Sequence, residues 1–229
     1  MKRVITYIFL ALAVCSCGAG GAFTRESQYA TMYENMPGTI LVMPPINNTT
    51  NVEAKDLLYT SISRPLAEAG FYVISPTLAM DVLKAESAYD SELFVDASLE
   101  PFKNFFGADA VIFSQIDEWA KRGFGIDVKI RYFIRSTSNG EIIFDRTCDL
   151  YLDLSQDSNS SGQFGLIGAL VDMAASAIVT ATTKHIEAAR MTNNYIFQDI
   201  PRGKYSPMFM NDKGVRADKK DIKKTVRKK

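Results

Sequence analysis

Hydrophobic and polar positions change rhythm along the chain, and each rhythm predicts an element. Thr39-Ile40-Leu41-Val42-Met43 is an apolar run closed by Pro44-Pro45, which cannot continue a ladder, so it predicts a short buried strand. Asn47 to Asn51 reads as a polar loop. Thr50 followed three residues later by Glu53 predicts a capping box. The helix it opens runs from Ala54 to Ala69, with Leu57, Leu58, Ile62, Leu66 and Ala69 on one side and Gly70 as the stop. Phe71 to Ile74 predicts a second strand, and Ser75-Pro76 opens a second helix through Lys84. Glu100 to Phe106 predicts a third helix that Gly107 ends, and Ala110 to Phe113 a third buried strand.

From there the period falls to two. Ile126, Val128, Ile130, Tyr132 and Ile134 alternate with Asp127, Lys129, Arg131, Phe133 and Arg135, the signature of a half-buried strand. After the turn Ser138-Asn139-Gly140, Ile142, Phe144, Cys148, Leu150 and Leu152 alternate with Ile143, Asp145, Asp149, Tyr151 and Asp153, which predicts a hairpin. The last periodic stretch, Gln163 to Ala189, places Ile167, Leu170, Val171, Ala174, Ile178 and Ala181 on one stripe and Asp172, Ser176, Thr180, Thr183 and Glu187 on the other. A charge in mid-span costs about 3 kcal/mol even on the lenient insertion scale, so this stretch is read as an amphipathic helix and not as a membrane span. The order is β-α-β-α-α-β-β-β-α, an α/β domain with a mixed sheet and flanking helices.

The first residues follow a different logic. Lys2 and Arg3 precede an apolar run from Val4 to Val14, the layout of an export signal, and the run is too short to span a bilayer. Cys15 and Cys17 follow at once. A lipoprotein signal needs a small residue before the cysteine that becomes the new N-terminus, and Ser16 before Cys17 supplies it where the bulkier Val14 before Cys15 does not. Residues 1–16 are therefore read as signal peptide, Cys17 as the lipidation site carrying an acyl chain such as palmitate, and residues 17–37 as a flexible tether. The competing reading is an unlipidated signal cut at Gly20-Gly21-Ala22, which leaves two cysteines at the end of the apolar run unexplained. Gly18, not Asp, follows the lipidated cysteine, which favours outer-membrane over inner-membrane anchoring, facing the periplasm. The folded domain is then residues 38–211.

Composition narrows the function classes. With 47% hydrophobic residues in 229, the chain can bury a sizeable core. Lys+Arg and Asp+Glu both number 26, yet the charges are segregated: residues 212–229 hold nine Lys/Arg against three Asp, while residues 4–211 carry a net charge of −8. The basic tail is read as disordered. An acidic body without basic residues interleaved with aromatics argues against nucleic-acid binding. His185 is the single histidine, which excludes zinc sites needing two or three imidazoles and leaves no metal or other cofactor expected. Cys148 falls on the apolar phase of its strand, so a packed core thiol is favoured over a nucleophile, and His185 on the apolar stripe is read as structural. Asp153 to Asn159 has the acidic spacing of a calcium loop but lacks the required Gly and ends on Phe164 where Glu should stand. Neither a phosphate-cradling GxxxxGK[ST] nor a GxSxG elbow occurs, so no small-molecule substrate is indicated. Trp119 and Phe124, beside Gly123 and Gly125, form either an exposed aromatic contact at the hairpin mouth or an aromatic packed beneath it.

Several segments in order carry a family resemblance: Ile40-Leu41-Val42-Met43-Pro44-Pro45-Ile46-Asn47-Asn48-Thr49, Val52-Glu53-Ala54-Lys55-Asp56, Pro65-Leu66-Ala67-Glu68-Ala69-Gly70-Phe71-Tyr72-Val73, Phe106-Gly107-Ala108-Asp109-Ala110-Val111 and the closing Gly203-Lys204-Tyr205-Ser206-Pro207. Together they resemble a family of bacterial lipoproteins of unknown function. The resemblance implies a fold similar to the N-terminal domain of TolB, shared with the curli-export lipoprotein and with lipoprotein activators of penicillin-binding proteins. It also implies association with other envelope lipoproteins of the curli-export kind. It carries over no catalytic residue and does not reach the basic tail. The expectation is a lipid-anchored, non-enzymatic interaction or assembly module of an envelope complex, curli-export-like or synthase-regulating. The alternative is an envelope hydrolase using Cys148 or carboxylates such as Asp109 and Asp117.

Overall fold

The computed structural model describes residues 23–154 and 185–227. Short helices α1 (Arg25–Gln28) and α2 (Ala30–Asn35) precede strands β1 (Thr39–Val42) and β2 (Ile46–Asn47), helices α3 (Glu53–Ser61) and α4 (Ser63–Glu68), and strand β3 (Tyr72–Val73). Helix α5 (Pro76–Ala85), a 3₁₀ turn (Ser91–Phe94) and helix α6 (Glu100–Phe106) lead to the long strands β4 (Ala110–Arg122), β5 (Gly125–Ser136) and β6 (Ile142–Asp153). Residues 185–197 are helical (α7), and β7 (Asp221–Arg227) closes the fold. The sheet runs β3-β1-β4-β5-β6-β7, with β2 continuing the line of β1 alongside β4. β4, β5 and β6 are antiparallel neighbours, while β1, β2 and β3 on one flank and β7 on the other pair in parallel, so the sheet is mixed.

Alternation along the strands sorts the core onto two faces. Ile40, Val42, Ile112, Ile130, Tyr132, Cys148 and Leu150 bury against α2, α3, α4 and α7. Leu41, Met43, Val111, Phe113 and Phe133 bury on the opposite face against Ala79 and Leu83 of α5 and Phe102 of α6. Helices therefore cover both faces of the β1–β4 half. Toward β7 the second face is left to Lys129, Asp149 and Lys223, which stand opposite one another in register across β5, β6 and β7.

Several sequence expectations change. Residues 24–35, assigned to the tether, are folded: Tyr29, Met32 and Tyr33 are buried in the main core. Short helices of this kind have no stability alone, and packing supplies it. Residues 212–227, assigned to a disordered tail, end in β7, which adds a seven-residue parallel ladder to β6 and buries Ile222. The folded unit thus extends beyond 38–211 at both ends. The expected capping box at Thr50 does not form, and Asn51 Oδ1 instead accepts the Ala54 N–H at 3.1 Å. The single helix 54–69 breaks at Ile62, because Pro65 has no N–H to donate back to Ser61. β6 shifts register at its start, so Ile143 is buried and Ile142 exposed, the reverse of the alternation read from sequence. Residues 185–197 are helical, past the predicted end at Ala189; the predicted stripe from Ile167 to Ala181 and Asp172, like the signal and Cys17, lies outside the described residues.

Candidate functional site: the tied chain ends and the exposed faces

The chain enters the described fold at Phe23 and is held at once. Thr24 and Ser27 form a reciprocal capping box, Thr24 Oγ1 accepting the Ser27 N–H at 3.2 Å and Ser27 Oγ accepting the Thr24 N–H at 3.0 Å. The same residues pair antiparallel with the C-terminal segment: the Arg25 N–H donates to Val215 O at 2.8 Å, the Ala217 N–H to Phe23 O at 2.6 Å, and Thr24 bridges Arg216. Arg25 is buried and donates to Asp212 Oδ2 at 2.7 Å, an acceptor that also takes the Arg202 N–H at 2.9 Å. Lys213 reaches Glu26 at 3.0 Å.

A second buried ion pair lies close by, since Arg25 also donates to the carbonyl of Gln198, the neighbour of Asp199, at 3.3 Å. Arg146 on β6 is fully buried and pairs with Asp199, which follows α7. Its guanidinium also donates to Ile196 O at 3.2 Å and Lys219 O at 2.7 Å, and Asp199 accepts the Asp218 N–H at 2.6 Å and the Tyr29 hydroxyl at 3.2 Å. One arginine thus binds α7 and the C-terminal segment to the sheet, with the Tyr29 hydroxyl joining α1–α2 to Asp199. Burial pushes the Tyr29 phenol well above its usual range, so it stays a donor.

The proposed catalytic groups are not brought together. Cys148 is buried within the core, and burial pushes its thiol up to about 12, so it carries no thiolate near neutral pH. Asp109 accepts the Gly38 and Thr39 N–H groups at 2.9 Å each and fixes the start of β1. Asp117, at the bulge of β4, accepts from Asn48 at 3.2 Å and Gln115 at 3.0 Å. Eight residues of strand separate the two carboxylates, about 26 Å at the usual rise. His185 accepts the Trp119 indole N–H at its Nδ1 at 2.7 Å, and burial holds its pKa below the ordinary value. The aromatic pair at the hairpin splits: Trp119 is packed in the core and Phe124 stands exposed at the tip.

Two surfaces escape sequence reasoning. On the open sheet face, Lys223 lies 3.3 Å from Asp149, Lys220 2.7 Å from Asp145 and Arg227 3.1 Å from Asp153, so the tail's cations meet the acids of β6. Between α5 and α6 lies an apolar groove of about 420 Å³, lined by Val82, Leu83, Pro101, Phe102, Phe105 and Phe106. Exposed Leu78, Leu93 and Phe105 extend the apolar character of α5, the 3₁₀ turn and α6. Arg135 fixes the connecting loop by donating to the carbonyls of Phe94, Val95 and Ala97 at 3.1, 2.7 and 3.0 Å.

A mixed sheet with helices on both faces of one half defines an α/β domain, and residues 27–203 match the family described as "Putative lipoprotein GNA1162-like". The chain belongs to this family, in agreement with the resemblance read from its motifs. It is 26% identical over 187 residues to "Putative lipoprotein NMB1124/NMB1162" of Neisseria meningitidis serogroup B, covering 80% of this chain and 84% of that protein. The crystal structure of lipoprotein GNA1162 from Neisseria meningitidis is similar at 24% identity and a TM-score of 0.48, covering 64% of this chain and 99% of that one. A PelC dodecamer structure from Paraburkholderia phytofirmans is similar at 15% identity and a TM-score of 0.40, covering 74% and 91% of the two chains. The matched segment ends before β7, so the strand that neutralises the β6 acids lies outside it.

Proposed function

We propose that this protein is a lipid-anchored, non-enzymatic interaction module of the bacterial cell envelope, attached through Cys17 to the outer membrane and facing the periplasm. The observation that carries the reading is the apolar surface of α5 and α6, where Phe105 is 64% exposed beside a groove lined by other aromatic rings. An exposed ring that continues an apolar groove makes a patch of the kind that marks an interaction surface, which a singly exposed side chain does not. Its partner is another envelope protein with apolar side chains to offer, and the resemblance carried by the sequence motifs points to a lipoprotein of the curli-export kind. The hydrolase reading finds no support in the geometry, since Cys148 is buried and protonated and the carboxylates lie far apart.

Pull-down from detergent-solubilised envelopes tests the module. Wild type should recover a second envelope lipoprotein reproducibly, and Phe105→Asp should lose it while unfolding at an unchanged midpoint. Equal recovery by the variant would remove this surface from the reading. Turnover of an envelope ester or amide that Cys148→Ala abolishes would replace the module with an enzyme. For the anchor, metabolic labelling with an alkyne fatty acid should mark wild type and Cys15→Ala but not Cys17→Ala, and Cys17→Ala should leave the membrane fraction because its acyl chains supply the affinity.

A further inference from the structure

We propose that the pole built from Phe23–Glu26 and residues 213–219 rests on an anionic phospholipid surface, with Phe23 and Val215 at the interface and Arg216 and Lys219 meeting head-group phosphates. This rests on the Cys17 anchor proposed above and adds an orientation to it. The first observation is length. The described fold begins at Phe23, where pairing with Ala217 fixes the chain, only six residues from Cys17. A fully extended chain gains at most about 3.5 Å per residue, so the pole cannot stand more than ~20 Å from the acylated residue. A tether running to residue 37 would have placed no face of the domain in particular.

The second observation is the chemistry at that point. Phe23 is 54% and Val215 43% exposed, an apolar pair at the place where the anchor enters. Of the charges nearby, Arg25 is consumed by Asp212 and Lys213 by Glu26, and Asp218 is hydrogen-bonded by Gln198. Arg216 and Lys219 are exposed on the same segment. Cations close to an anionic bilayer surface are drawn to it, and two reinforce an anchor that already confines the pole. The buried Arg25–Asp212 pair makes the pole rigid, so orientation at the membrane is passed to the whole domain. The Phe124 tip becomes the contrasting site: Arg146, beside the pole, stands opposite Tyr132, and seven residues of β5 separate Tyr132 from the hairpin, about 23 Å.

The experiment uses acylated full-length protein in vesicles of phosphatidylethanolamine and phosphatidylglycerol carrying a head-group nitroxide lipid. A fluorophore is placed at Val215→Cys or Phe124→Cys, and buried Cys148 stays unlabelled. Quenching at position 215 should exceed that at 124 several-fold, and the contrast should weaken when Arg216 and Lys219 are both replaced by Glu. Equal quenching at the two sites in wild type overturns the orientation. A contrast that the charge-reversed variant retains in full overturns the head-group contact. Fatty-acid labelling of the same preparation separates the two readings: protein lacking label at Cys17 refutes the anchor, whereas labelled protein with equal quenching refutes only the docked pole.

Discussion

Asp199→Ala provides a sharp test of how the fold is held together. The substitution leaves the Arg146 guanidinium, which has no exposed surface, without its countercharge inside the core, and strips an acceptor from the Asp218 N–H and the Tyr29 hydroxyl. Breaking a buried pair from one side costs about 3–5 kcal/mol, because the surviving charge has no access to water. At roughly 2–4 °C per kcal/mol for a chain of this size, the melting temperature should fall by about 6–20 °C. The assay is urea and thermal unfolding of residues 18–229 expressed without signal or lipid. Glu68→Ala, which breaks the solvent-exposed pair with Arg64, should leave the midpoint where it is. Combining Asp199→Leu with Arg146→Met should recover part of the loss, since no unpaired charge then remains. A single variant within about 1 kcal/mol of wild type would show that water reaches Arg146 and would refute the reasoning.

Three further outcomes follow from the same geometry. Cys148 should resist a thiol reagent at pH 8 in the native state and react at once in urea; because burial raises its pKa from 9.0 to about 12, the protonated form favours folding, so its contribution is intact below pH 9 and is lost as pH rises toward 12. Gly70→Ala should destabilise by more than 1 kcal/mol, since φ is +94° and a Cβ would sit 2.6 Å from the Ser206 backbone nitrogen; a midpoint within experimental error of wild type would show that the 203–206 segment yields freely. Truncation after Asp218 should cost about 2–3 kcal/mol for the buried Ile222 and its neighbours and should speed amide exchange in β6, whereas unchanged exchange would show β7 to be peripheral.

Local pattern was enough for the elements whose partners are interchangeable. Alternation from Ile126 to Ile134 specifies a strand with Ile126, Val128, Ile130, Tyr132 and Ile134 facing the main core, although Asp127 and Phe133 on the other phase are buried too because neighbours cover that face, and the Pro76 and Gly107 signals bound helices by backbone geometry alone. The packed Cys148 and the separation of charge between body and tail were legible for the same reason. What the charge separation meant was not. Asp221–Arg227 has three cations in seven residues and no apolar run, so alone it reads as solvated chain; it becomes a strand because parallel register sets Lys223 beside Asp149 and Arg227 beside Asp153. Residues 24–35 are likewise too short to hold helical form without burial of Tyr29, Met32 and Tyr33 and the Arg25–Asp212 pair, whose members lie 187 residues apart. Periodicity reports which face of an element will be buried; which distant segment completes a sheet edge, or neutralises a charge, is decided only when segments such as Phe23–Glu26 and residues 213–217 meet in space.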